Sequence, residues 1–180
     1  MKLVPSASLI FTMVLPLTCV NGNHHENITS TIMAVDFNPR PCMPANNNNG
    51  YNFFMRKHIL GAQFDTNNKQ LWSRYLYSRR LCGRVPLQSF LQKTDEMAVQ
   101  SICRGSGVNL QQNLCISRRP FLVYAVWSQK LPRKGCRIRR LQRSQHPVVV
   151  ACDAVANQCL PVHYEGYRGQ VPGNNAQVCR

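Results

Sequence analysis

Acidic side chains are scarce in this chain: 7 Asp and Glu stand against 22 Lys and Arg in 180 residues, for a formal net charge of +15. That deficit disfavours basic partners and predicts an acidic one. Zinc-site spacing is absent too, since no two cysteines form a Cys-x-x-Cys pair. Beyond Val20 there is no second apolar run long enough to cross a bilayer, so no transmembrane anchor is expected.

What is present begins with Met1-Lys2 and an apolar run from Leu3 to Val20, followed by the small residues of Val20-Asn21-Gly22. This reads as a secretory signal peptide over residues 1–22. Pro5 and Pro16 interrupt the run, which argues against a membrane anchor. Leu17-Thr18-Cys19 lacks the small residue that lipid attachment at Cys19 prefers. The expected location is therefore secreted and extracellular. Removing the leader takes Lys2 and Cys19 away, so the chain stays strongly basic and keeps an even number of its 9 cysteines. In a secreted chain that pattern argues for disulfides rather than metal ligation, and for neither a metal nor another cofactor.

Residues 23–50 read as a polar N-terminal extension. They hold His24-His25, the glycosylation sequon at Asn27 and an asparagine run from Asn46 to Asn49. Adjacent histidines in such a stretch usually ligate nothing. From Tyr51 the pattern predicts a helix to about Leu60, a second helix from about Lys69 to Arg80, a strand around Leu87 to Leu91, and a short helix before Ile102. Strands then follow to His163. Helices first and antiparallel strands after define an α+β domain over 51–166. Residues 167–180, rich in Gly and Asn, read as a C-terminal tail that a Cys159–Cys179 bridge would pin.

One stretch carries the most chemistry. His146-Pro147-Val148-Val149-Val150-Ala151-Cys152 is a β-branched run, and Leu160-Pro161-Val162-His163-Tyr164-Glu165 follows after a short loop. This predicts a hairpin presenting His163. Far upstream, Phe54, Ile59 and Leu60 flank His58 at helical period. Two imidazoles from distant segments suit an acid and base pair, because histidine titrates near neutral pH. Taken singly, each is more often a packed or solvated side chain.

The motifs taken in order change that balance. Lys57-His58, Gln88-Ser89-Phe90, Ser101-Ile102-Cys103, Asn113-Leu114-Cys115-Ile116-Ser117 before Phe121, Val148 to Cys152, and Leu160-Pro161-Val162-His163 resemble the pancreatic-type ribonuclease (ribonuclease A) family, nearest its angiogenin-like branch. The likeness covers about Tyr51 to Gly166. It implies a curved antiparallel sheet with about three helices, stapled by Cys82–Cys136 and Cys103–Cys152. A third common bridge of the family is missing at both ends, with Leu71 and Val126 where its cysteines would fall, as if packing replaced it. The resemblance leaves Cys42, Cys115, Cys159 and Cys179 unassigned.

The same resemblance implies metal-independent RNA cleavage to a 2′,3′-cyclic phosphate. His58 would take the 2′ proton and His163 would protonate the leaving 5′-oxygen. Ser89, beside Gln88, aligns with the threonine that reads a pyrimidine. Lys57 replaces a glutamine beside the first histidine. Glu165, after Tyr164, stands where an aspartate orients the second histidine. The departure lies in the family pattern Cys-Lys-x-x-Asn-Thr-Phe, which here is Cys82-Gly83-Arg84-Val85-Pro86-Leu87-Gln88-Ser89-Phe90, longer by two residues. The catalytic lysine falls on Gly83 or Val85, and Arg84 is the cation left to substitute, if a bulge turns it inward. Losing one preorganised donor lowers turnover by about 10²–10³-fold, so weak activity is expected.

Arginines cluster at Arg79, Arg80 and Arg84, at Arg118-Arg119, and from Arg133-Lys134 through Arg137, Arg139, Arg140 and Arg143. Their planar forks suit phosphate or sulfate. RNA is the expected partner of what reads as a monomer, with acidic glycans and bacterial surfaces beside it. The alternative function is a cationic host-defence (antimicrobial) or angiogenin-like binding protein on the same scaffold with little catalysis. The plainest alternative is a solvated basic face.

Overall fold

The structure, a computed structural model, describes residues 37–132 and 135–180. The signal peptide, His24-His25, the sequon at Asn27 and the Arg133-Lys134 pair lie outside the described residues.

Helix α1 (Gly50–His58) and helix α2 (Lys69–Ser78) come first among the longer elements. Asn68 caps α2, its side chain accepting from the N–H groups of Gln70 (2.9 Å) and Leu71 (3.3 Å), which satisfies donors that the first helical turn leaves free. Trp72, Tyr75 and Leu76, at spacings of three and four, are the face it buries. Gly50 lets α1 press against the sheet: a Cβ there would lie 3.0 Å from Val162, next to His163. A short helix α3 (Glu96–Ser101) follows strand β2 (Leu87–Leu91), the latter with the bounds the sequence predicts.

The remaining strands are β1 (Met43–Pro44), β3 (Gly107–Gln111), β4 (Leu114–Ser117), β5 (Phe121–Leu131), β6 (Gly135–His146), β7 (Val149–Val155) and β8 (Gln158–Glu165). Among the described residues they form two sheets. One runs β1-β7-β4-β3 with β8 paired to β7, and the other runs β2-β5-β6. All pairings are antiparallel except β1 with β7. The predicted hairpin ending at His163 is β7–β8, where a bulge between Ala151 and Cys152 shifts the register. Phe54, Ile59, Leu91, Ile102, Val148, Val150 and Tyr164 share one buried cluster. Trp72, Leu76, Phe90, Tyr124 and Val126 share another.

Four bridges tie these elements together. Cys82–Cys136 and Cys103–Cys152 are paired as the motifs imply. Cys159 bonds to Cys42, and Cys179 to Cys115. The expected Cys159–Cys179 bridge is therefore wrong. Cys159 lies on β8 opposite Ala154 of β7, the residue that Pro44 of β1 also pairs with, whereas Cys179 enters the core beside β3 through the bridge from Val108 to Val178. Segments read as extension and tail are thus knit to the sheet at 42–45 and at 177–179. The exchange of a lost bridge for packing is only half as expected: Val126 is fully buried in a cluster to which α2 contributes Trp72, Tyr75 and Leu76, whereas Leu71 is half-buried and outside it.

Candidate active site

Helix α1 ends at His58, and the next residues run along the edge of β2. The Leu60 N–H donates to the Leu91 carbonyl at 3.0 Å, and Ile59 bridges Leu91. This places His58 Nδ1 2.9 Å from the Ser89 carbonyl oxygen. A carbonyl only accepts, so Nδ1 carries the hydrogen and Nε2 keeps its lone pair. The 3.5 Å approach of Gln88 Nε2 to the same Nδ1 is then a contact between two donors. Gln88 Nε2 donates instead to the Lys57 carbonyl at 2.9 Å.

Burial pushes the His58 pKa down to about 3, against the Ser89 hydrogen bond, with His163, Arg84 and Lys57 adding repulsion. Those cations act on His58 only because the fold gathers them around it. Burial, then Arg84 and Arg56, lowers the Lys57 pKa as well. The structure therefore brings His58, His163, Lys57 and Arg84 into one electrostatic locus.

His163 stands on β8 with Nε2 3.5 Å from Glu165 Oε2, so the longer carboxylate reaches it. Glu165 is an acceptor, so the contact engages Nε2 and not Nδ1. Burial lowers the His163 pKa, and Glu165 opposes that shift. Glu165 also lies 3.9 Å from Arg168.

Tyr164 is buried and stacks on His58, with ring centroids 5.1 Å apart and 16° between planes. Burial pushes its pKa up to about 12, with the nearby Ser89 side chain acting against that shift. Ser89 and Tyr164, both expected at the substrate, thus lie near each other.

Arg84 does not sit on a strand. Residues 82–86 form turns, with Gly83 at φ 62° and β2 beginning only at Leu87. The bulge expected between Cys82 and Phe90 is a turn, so strand alternation does not restrict where Arg84 points. Gly83 fits because a Cβ would come within 2.7 Å of the Lys130 nitrogen and because its φ is the left-handed one that glycine tolerates. Arg84 Nη2 donates to Gln88 Oε1 at 3.3 Å, so Gln88, buried, joins Arg84 to the Lys57–His58 peptide. Val85, the other lysine position, is half-buried and uncharged.

Sequence reasoning missed Phe37. Its ring meets His163 edge-on, with centroids 5.7 Å apart, and Asn38 holds it there by donating to Asp153 Oδ1 at 2.9 Å. Nothing in a polar extension singles out one phenylalanine; the available signal was Cys42, an unassigned cysteine five residues away.

No family model matches the chain, and no curated protein is similar to it. Among solved structures, zebrafish RNase5 is similar at 22% identity, over 66% of this chain and 93% of that one, with a TM-score of 0.51. SS-RNase-2 des116-120 is similar at 23% identity, over 66% of this chain and 98% of that one, with a TM-score of 0.49. The chain has the α+β fold of the pancreatic-type ribonucleases, with helices, curled antiparallel sheet and disulfides. Among the described residues no helix is long and apolar enough to cross a membrane.

Proposed function

We propose that this protein is a secreted, strongly basic RNA endonuclease of low turnover that acts without a metal. The observation that carries the reading is that His58 from α1, held by the Ser89 carbonyl, and His163 from β8, held by Glu165, lie within electrostatic reach of each other, each with one ring nitrogen engaged. His58 Nε2 takes the proton from a ribose 2′-hydroxyl as that oxygen attacks the adjacent phosphorus. The P–O5′ bond breaks, His163 Nδ1 gives its proton to the leaving 5′-oxygen, and a 2′,3′-cyclic phosphate remains. Water then opens the ring with the two roles exchanged. Each proton transfer is worth about 10²–10⁴-fold in rate.

Charge that builds on the phosphoryl oxygens meets Arg84 and Lys57. Arg84 is exposed and tied to Gln88, and a guanidinium donates through a planar fork that cannot be placed like a compact ammonium. Weak stabilisation follows, and with it weak turnover. A second reading, a cationic binding protein on the same scaffold, draws support from exposed Arg137, Arg139, Arg140 and Arg143, none of which pairs with an acid among the described residues. Cleavage of a short RNA by the wild type and by His58→Ala and His163→Ala separates the two: loss of cleavage in both variants supports catalysis, and unchanged cleavage rejects this site.

A further inference from the structure

Residues directly opposite one another in an antiparallel sheet share a face, as do residues two apart along a strand. Ser89, Ala125 and Gln142 stand opposite one another across β2, β5 and β6, and so do Leu87, Trp127 and Arg140. Gln88 and Phe90 are buried on the other face of β2, whereas the half-buried Ser89 side chain lies near Tyr164, which stacks on His58, so Ser89 is on the face of the candidate active site. The Leu87-Trp127-Arg140 row therefore lies on that same face, about 7 Å farther along the strands. The register shift comes only after Trp127, so it leaves both rows in phase.

This second row is built as a platform. Leu87 is 43% exposed and Trp127 is half-buried. The Arg140 guanidinium carbon lies 4.8 Å from the Trp127 ring centroid, and Arg140 Nη2 donates to Gln142 Oε1 at 2.8 Å. Indole below and amide beside fix the guanidinium plane, so its outer face is preorganised. Beyond the bulge, Arg139 Nη1 donates to Gln129 Oε1 at 3.0 Å, opposite Arg137. A flat cationic surface with further arginines behind it fits a chain of π-faced bases joined by phosphates. A sulfated sugar brings the charge without the π-face.

We infer that Trp127 and Arg140 form a second base-stacking subsite, which takes the nucleotide adjoining the one at Ser89 in single-stranded RNA. The inference rests on the ribonuclease reading for its ligand and not for its geometry. Stacking on an aromatic or guanidinium plane tolerates any base, and losing one stacked base weakens binding by about 10-fold. The subsite thus adds affinity for longer strands without base selectivity.

The test uses a non-cleavable 2′-O-methyl tetranucleotide and tryptophan fluorescence. The chain has 2 tryptophans; Trp72 is wholly buried, so a quenched signal reports Trp127. Binding is expected to quench emission in the wild type and not in Trp127→Phe. Trp127→Ala and, on an exposed side chain, Arg140→Gln should each weaken the tetranucleotide about 10-fold while leaving a pyrimidine mononucleotide unaffected. An abasic sugar at the outer position should weaken wild-type binding equally. Absence of quenching, unchanged affinity in both variants, or equal quenching by a sulfated oligosaccharide of matched charge would overturn the inference. Quenching without any RNA cleavage by the wild type removes the catalytic reading and keeps the subsite, while cleavage without quenching does the reverse.

Discussion

Tyr164 lies face to face with His58 and near the Ser89 side chain, so one buried tyrosine packs the candidate base and neighbours the candidate base-reading hydroxyl. Packing and recognition are coupled at this point. The ring desolvates the imidazole, and the phenol stands near Ser89, where an incoming base would reach.

Tyr164→Phe should keep the stack and remove the phenol near Ser89. The expected outcome is a lower KM for pyrimidine sites with kcat little changed, because no neighbouring phenol then competes for the Ser89 hydroxyl. Steady-state kinetics on uridine- and adenosine-centred dinucleotides checks it. An unchanged KM would mean that Ser89 does not read the base.

The pH profile should sit on the acidic side. Burial holds His58 unprotonated down to about 3, so the base is ready throughout the neutral range. His163 must be protonated to act as the acid, and its pKa also lies below the ordinary 6.5. The falling limb of kcat/KM should therefore come below about pH 6.5. Glu165→Ala removes the group that raises the His163 pKa and should move this limb lower still. A falling limb above 7 in the wild type would contradict the arrangement.

Stability should follow the same imidazole. Between about pH 6.5 and pH 3 the unfolded chain binds a proton at His58 that the folded chain does not, so stability falls as pH drops through that window. Thermal unfolding of His58→Gln, against the wild type, should lose part of this slope.

Arg84→Ala should lower turnover about 10-fold with the fold intact, since Arg84 is exposed and lies in a turn. Val85→Lys should raise turnover if the lysine can reach the phosphate locus from a half-buried position. Cleavage by Arg84→Ala equal to that of the wild type would pass the role to Lys57, whose lowered pKa reflects the neighbouring Arg84 charge behind burial.

Most of the fold was legible because its signals are local or motif-bound. The second helix, the span of β2 and the β7–β8 hairpin follow from periodicity and residue type. The bridges Cys82–Cys136 and Cys103–Cys152 followed from motif order. Cys42–Cys159 and Cys115–Cys179 did not, because each joins a chain end to the sheet across a sequence separation of 117 or 64 residues, which no local pattern encodes. The turn at Gly83 was mistaken for a bulge because a strand pattern begins just beyond it, at Leu87. Phe37 went unseen because its contact with His163 depends on the Cys42 staple.

That dependence yields the last prediction. Phe37 touches His163 only while residues 37–45 are held to the sheet, and three features hold them: Cys42–Cys159, the pairing of Met43 with Asp153, and the Asn38 hydrogen bond to Asp153. Phe37→Ala should leave the bridges intact but rehydrate His163, raising its pKa and moving the falling limb of kcat/KM to higher pH. Paired Cys42→Ser and Cys159→Ser should move that limb the same way and also lower stability by about 2–5 kcal/mol. A purely structural role for the segment predicts the stability loss without any shift in the limb. The two readouts therefore separate a staple that only holds the chain end from one that completes the environment of His163.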